Sequence, residues 1–268
     1  MIIEKVFQYV DEVSPWADDT PAEVVFCCAR KWLLEQDLPS AQPIIYRLAG
    51  QSGSGKTTQL LPMVLDFEKG QGNDVFVVAV RGFYKLHPRF AEFETTLEKS
   101  ELRERTNGFS LKCLAVALGL VMERGVCVVL DMTVLDPVFE EYFDSLVKKH
   151  GYEARYHVMG VPKQQSDDFI AKRKGGTGAE AGRAVTTETA DYFYDVLPKG
   201  LAFLASVDNK STATVWTAYD KQPVYVGGLG GVVKEIKNAR SKVKELIFSE
   251  QELRDAKVEF LKKTNSAK

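Results

Sequence analysis

The sequence predicts an α/β fold in which a central, mostly parallel sheet is flanked by helices. Short, nearly unbroken runs of apolar residues, many of them β-branched, recur along the chain, and such runs belong to strands covered on both faces. Helical stretches separate them, which is the alternation of a doubly wound sheet. The first run leads straight into a glycine-rich loop, Gly50-Gln51-Ser52-Gly53-Ser54-Gly55-Lys56-Thr57, and a helical stretch follows the loop at once.

Residues 1–43 read as an N-terminal helical extension. Thr20-Pro21-Ala22-Glu23 is a helix start, with a capping hydroxyl, a proline in the first turn and a returning glutamate. Apolar residues then lie all round the helix over 24–34, which predicts burial on more than one side. Pro39 and Pro43 punctuate the entry into the main domain, residues 44–247. Its strands are expected at 44–49, 75–80, 126–130 and 154–159, with a helix over 111–123. Residues 214–217 and 223–226 flank a polar turn and predict a short hairpin. Val232, Val233, Ile236, Ala239, Val243, Leu246 and Ile247 keep helical spacing. A last helix occupies 248–268, where Ser249 and Glu252 form a capping box.

The glycine-rich loop matches G-x-x-x-x-G-K-[ST] in full, in the strand–loop–helix setting of a P-loop NTPase/kinase fold. Glycines let successive backbone N–H groups turn inward around phosphate oxygens, and the following helix adds its positive end. The nucleotide-binding set is therefore Gly50, Gln51, Ser52, Gly53, Ser54, Gly55, Lys56, Thr57 and Thr58. Lys56 supplies charge to the β- and γ-phosphates, and the Thr57 hydroxyl can ligand Mg²⁺. No Asn-Lys-x-Asp guanine-reading motif occurs, which favours ATP over GTP. Pro62 falls in the second turn of the following helix, where it is expected to remove a hydrogen bond and produce a kink.

Asp131 ends the third apolar run. A carboxylate there reads as a magnesium-organising acid, or more plainly as a helix cap or a solvated strand end, and the complete P-loop favours the first. Residues 172–183, Lys-Arg-Lys-Gly-Gly-Thr-Gly-Ala-Glu-Ala-Gly-Arg, read as a lid in which Arg173 and Arg183 bracket the glycines. Arginines on a closing lid can stabilise the charge that spreads over a transferring phosphoryl group. The plainer reading is a solvated loop.

Composition narrows the field. At 268 residues the chain holds one α/β domain with appendages, and its 45% hydrophobic and 27% charged fractions are those of an ordinary globular protein. A formal net charge of -2 gives no overall reason to expect nucleic acid or a membrane. Cys27, Cys28, Cys113 and Cys127 form no Cys-x-x-Cys pair, and His87, His150 and His157 lack metal-ligand spacing. An acid as early as Glu4 argues against a secretory signal, so a reducing cytoplasm is the expected compartment.

Several weaker motifs follow the P-loop in a definite order. His87-Pro88-Arg89-Phe90 lies beyond the second strand, and the stretch from Gly125 to Thr133 contains the third strand and the Asp131-Met132-Thr133 that follows it. Ser166 stands seven residues before Arg173, Arg183 opens a segment ending in Asp191, and the hairpin carries Trp216 and Tyr225. Over roughly residues 44–247 this order resembles the zeta toxins of bacterial toxin–antitoxin systems, P-loop kinases of UDP-N-acetylglucosamine. The resemblance implies a kinase that uses ATP and Mg²⁺ to phosphorylate the sugar 3′-hydroxyl of a UDP-sugar, restrained by a small antitoxin protein. By position, Lys56 and Thr57 would hold the triphosphate and Mg²⁺, and Arg173 and Arg183 would flank the transferring phosphate.

Two positions depart from that pattern. Six residues before the His-Pro pair the family carries an aspartate that accepts the proton of the attacking hydroxyl, and here that position is Arg81. An arginine stays protonated and cannot act as a base. An acidic residue often found on the helix before the third strand corresponds to Ala115. The sequence therefore leaves three readings open: a zeta-like kinase, a phosphotransferase for a different, anionic acceptor, and an inactive scaffold that binds ATP or an antitoxin.

Overall fold

A computed structural model describes residues 2–13, 18–38, 42–132, 137–175, 186–207, 211–241 and 249–266. Two helices, α1 (Ile2–Val13) and α2 (Ala22–Leu34), precede the first strand, β1 (Ile44–Gly50). The loop after β1 enters a π-helical turn, Lys56–Leu60, that continues as α3 (Leu61–Gly70). Next come β2 (Phe76–Ala79), two 3₁₀ turns at Val80–Gly82 and Tyr84–Leu86, α4 (Phe90–Thr96), α5 (Lys99–Met122) and β3 (Val128–Asp131). Then follow α6 (Pro137–His150), β4 (Glu153–Met159), α7 (Lys163–Gly175) and α8 (Thr187–Val207). A hairpin of β5 (Thr212–Trp216) and β6 (Tyr225–Gly228) leads to α9 (Leu229–Ser241), and α10 (Glu250–Ser266) ends the described chain.

The strands form one sheet in the order β2-β3-β1-β4-β5-β6. β1 to β5 are parallel, and β6 runs antiparallel to β5. Side chains alternate between two cores, as the period of a strand requires. Ile45, Ala49, Val128, Leu130, Ala154 and Val158 face the core built with α1, α2, α5, α6, α8 and α9. Tyr46, Leu48, Val129 and Met159 face the other core, closed by α3 and by Leu261 of α10. Both faces are thus covered, which accounts for the apolar runs. β1 is central and carries Arg47, which donates to Glu140 of α6 at 2.6 Å and lies over the Phe143 ring. None of the described helices is long and apolar enough to cross a membrane.

Three local expectations are corrected. Pro62 sits in the first turn of α3, where its missing N–H is not needed, because the π-turn ahead of it absorbs the mismatch. The Leu61 N–H reaches back five residues to the Lys56 carbonyl. Thr20 does not cap α2: Pro21 is the N-cap, no side chain caps the helix, and the Pro21 carbonyl accepts from Val24 and Val25. The same helix buries one stripe, Val25, Ala29 and Leu33, while Phe26 and Leu34 are exposed. The capping box at Ser249 does form, with the Glu252 N–H donating to Ser249 Oγ at 3.2 Å and the Ser249 N–H to Glu252 Oε2 at 2.8 Å.

Candidate nucleotide-binding site

The phosphate-binding loop leaves the sheet where β1 lies between β3 and β4, at the carboxyl ends of the strands. Open α/β sheets bind their ligands there. Two glycines are dictated by shape. Gly53 has φ +75° and a Cβ on it would lie 2.4 Å from the Ser166 carbonyl oxygen of α7, while Gly55 has φ +91° at the entry to the π-turn. The Ser166 hydroxyl donates to the Ser52 carbonyl, so α7 is fastened onto the loop. Gln51 donates to the Val161 carbonyl and accepts from Arg240 of α9 through Nε at 3.2 Å and Nη2 at 3.1 Å. The Ser54 hydroxyl is buried without a hydrogen-bond partner, a donor held ready inside the loop. Thr58 points its hydroxyl at the Gly55 carbonyl, 3.3 Å away.

Strand register assembles the charged centre. Asp131 pairs level with Leu48 of β1 and with Ala79 of β2. Its carboxylate meets the Lys56 ammonium, accepts from the Thr57 hydroxyl at 3.3 Å, and lies 3.4 Å from Nη1 of Arg81. Lys56 and Asp131 are buried, whereas the Arg81 side chain is 40% exposed on its 3₁₀ turn. Burial alone would push the Asp131 carboxyl up. The Lys56 charge and hydrogen bond, with help from Arg81 and Thr57, outweigh it and hold the group below its ordinary value.

The oxygens of Thr57 and Asp131 are the hard ligands that Mg²⁺ prefers, and one carboxylate with phosphate and water oxygens is a usual magnesium set. The residues present therefore fit that ion. Among the described residues no group of three or more His, Cys, Asp or Glu could hold a metal by itself.

Of the remaining expected residues, Arg173 lies in the C-terminal part of α7, and Arg183 lies outside the described residues. So does most of the expected lid, together with Thr133. Ala115 is fully buried in the core between α5 and the sheet, away from solvent. His87 is buried as well: its Nδ1 accepts the Arg89 N–H at 3.1 Å and its Nε2 stands 3.8 Å from Asp18.

Two features had no local signal in the sequence. Arg240, besides holding Gln51, lies over the Tyr194 ring of α8 at 3.8 Å. A shallow recess lies beyond the sheet, lined among others by Val161 and Pro162 after β4, Thr217 and Tyr219 after β5, and Gln165 of α7. Gln51 joins loop and recess through Val161. Both features depend on which elements pack together, and that is not written in any short segment.

A sequence model described as zeta toxin matches residues 30–226, well over half of the chain. Among solved structures, a chain from the PezAT chromosomal toxin–antitoxin system of Streptococcus pneumoniae superposes with a TM-score of 0.61 at 20% identity. That match covers 93% of this chain and 98% of the other. A structure of the AvrRxo1-ORF1:AvrRxo1-ORF2 complex gives a TM-score of 0.52 at 14% identity, covering 97% and 83%. One of the same pair with ATP gives 0.51 at 12%, covering 97% and 84%. At these identities the structural matches speak for a shared fold. No curated protein sequence matches the chain significantly.

Proposed function

From the premise that the chain belongs to the zeta toxin family, we propose that it is a phosphotransferase that moves the γ-phosphoryl group of ATP to a hydroxyl of a nucleotide-sugar, UDP-N-acetylglucosamine being the acceptor the family implies. The observation that supports this most directly is the meeting of Lys56, Thr57 and Asp131 at the end of a complete P-loop. The loop N–H groups and Lys56 would cradle the β- and γ-phosphates, and the buried Ser54 hydroxyl would gain the partner it lacks. Thr57 and Asp131 would hold Mg²⁺, which when bound neutralises charge on the phosphate oxygens. Arg173 and Arg183 would close over the transferring group. A small protein partner covering the nucleotide site would restrain the enzyme.

A second reading is favoured by one observation. Arg81 stands at the position of the family's proton acceptor and turns its guanidinium to Asp131. The acceptor side then offers a cation where a base is needed. That suits an anionic acceptor, gripped in the fork of the guanidinium, or a scaffold that binds ATP without turnover.

One experiment separates these readings. The protein is incubated with γ-labelled ATP, Mg²⁺ and two panels, UDP-sugars and phosphorylated or carboxylated alcohols. Label on a UDP-sugar supports the first reading, and label on the anionic panel alone supports an altered acceptor. ATP binding with no transfer to either panel leaves the scaffold.

A further inference from the structure

We propose that Lys257, on α10 and beyond the segment matched by the family, is a positioning residue of the nucleotide site, its ammonium tying the helix of the phosphate-binding loop to the turn that walls the recess. The inference rests on the nucleotide reading above and adds to it a part of the chain that the P-loop does not reach.

Lys257 is completely buried. A buried ammonium is costly unless its protons find acceptors, so its bonds indicate what holds it there. Nζ donates to Gln59 Oε1 at 3.2 Å and to the Thr217 carbonyl at 3.2 Å, and it lies 5.2 Å from the centre of the Trp216 ring. One acceptor belongs to the phosphate-binding loop's helix and the other to the turn after β5. Gln59 sits in the π-turn behind the loop, and its backbone N–H donates at 2.8 Å to the carbonyl of Gly55, the left-handed glycine that precedes Lys56. Thr217 follows β5 and begins a turn closed by its own hydroxyl, which donates to Asp220 Oδ2 at 2.8 Å and accepts the Asp220 N–H at 3.0 Å. That turn supplies Thr217, Tyr219 and Asp220 to the recess.

The spacing between the loop and the turn after β5 sets where Gln59 holds the π-turn that carries Lys56 and Thr57, and so how these two meet a triphosphate. Among the contacts described, Gln51 fastens the loop to Val161 after β4, and Lys257 fastens the π-turn to the turn after β5. Leu261 and Val258 give α10 an apolar seat against α3, so the helix has packing that does not depend on the ammonium.

The test is Lys257→Met, which keeps the length and apolar stem while removing the charge, with Mg-ATP affinity by calorimetry and thermal unfolding measured on the same samples. The expected result is a dissociation constant raised tenfold or more with a modest fall in Tm, since the burial cost of the ammonium is relieved while the Gln59 and Thr217 oxygens lose a donor. A folded variant with unchanged affinity overturns the proposal and leaves the nucleotide reading standing. Should Lys257→Met fail to fold, Gln59→Leu removes only the acceptor on the loop side. It is expected to weaken Mg-ATP binding in the same direction, and unchanged affinity there overturns the proposal equally. Wild-type protein that does not bind Mg-ATP overturns both the nucleotide reading and the inference.

Discussion

Arg81 and Asp131 face each other across the ends of two adjacent strands, Nη1 of the one 3.4 Å from Oδ2 of the other. The contact follows from register, because Ala79 is level with Asp131 and the 3₁₀ turn after β2 carries Arg81 back over the strand end. Asp131 thereby lies between two cations, Lys56 within the loop and Arg81 outside it.

Arg81→Asp is expected to create or raise UDP-sugar kinase activity by about 10²–10⁴, the usual contribution of a general base. The new carboxylate would stand beside Asp131, and like charges raise each other's pKa, which suits a proton acceptor. Arg81→Ala should give no such gain. Phosphate transfer from labelled ATP measures both. If Arg81 instead grips an anionic acceptor, the wild type is the active form and Arg81→Asp abolishes its activity.

Lys56→Ala is expected to abolish Mg-ATP binding and also to destabilise the protein. Removing one partner of a buried ion pair typically costs about 3–5 kcal/mol. Lys56→Ala/Asp131→Ala should regain much of the lost Tm and none of the binding. Calorimetry with thermal unfolding checks this, and a single mutant that binds normally would remove the P-loop assignment.

Arg173→Ala and Arg183→Ala should leave Mg-ATP affinity largely intact while phosphoryl transfer falls by about 10³ or more, as when an arginine finger is lost. Equal turnover in wild type and both mutants would make these two arginines ordinary solvated residues.

The stability of the protein should fall as pH drops from about 6.5, and His157 should account for part of that fall. Burial between Tyr46 and Trp216 holds its imidazole down at about 3. It stays neutral in the folded chain, while the unfolded chain takes up a proton below about 6.5. The unfolded state then binds more protons than the native one across that window, so stability rises with pH there and is lost on acidification. Denaturant unfolding at pH 7 and pH 5 should show a smaller difference for His157→Phe than for wild type.

Features within a few residues of one another were legible in the sequence. The P-loop, the four strand runs and the Ser249–Glu252 box are each complete in a short segment, and each forms. What escaped was long-range or depended on a choice between faces. The residues of α2 are apolar all round, and only its packing across α5 decides that Val25, Ala29 and Leu33 turn inward while Leu34 stays out. Lys257 reads as one more charge on an amphipathic helix, yet its partners are Gln59 and Thr217. Pro62 marks a disturbance correctly, and spacing alone places it one turn too deep, because a π-turn cannot be counted from residue types.

That π-turn bears on insertions and deletions. It accommodates one residue more than an α-turn would, and each residue of a helix advances it by about 100°. Removing a single residue between 57 and 61 would let the helix run on as a plain α-helix with the later side chains near their present faces, whereas adding one would rotate them all by that angle. After such an addition Met63, Val64 and Phe67 would leave the core that they share with Tyr46 and Trp216, while Lys56 kept its place at the loop. Along this stretch the chain should tolerate the loss of a residue better than the gain of one.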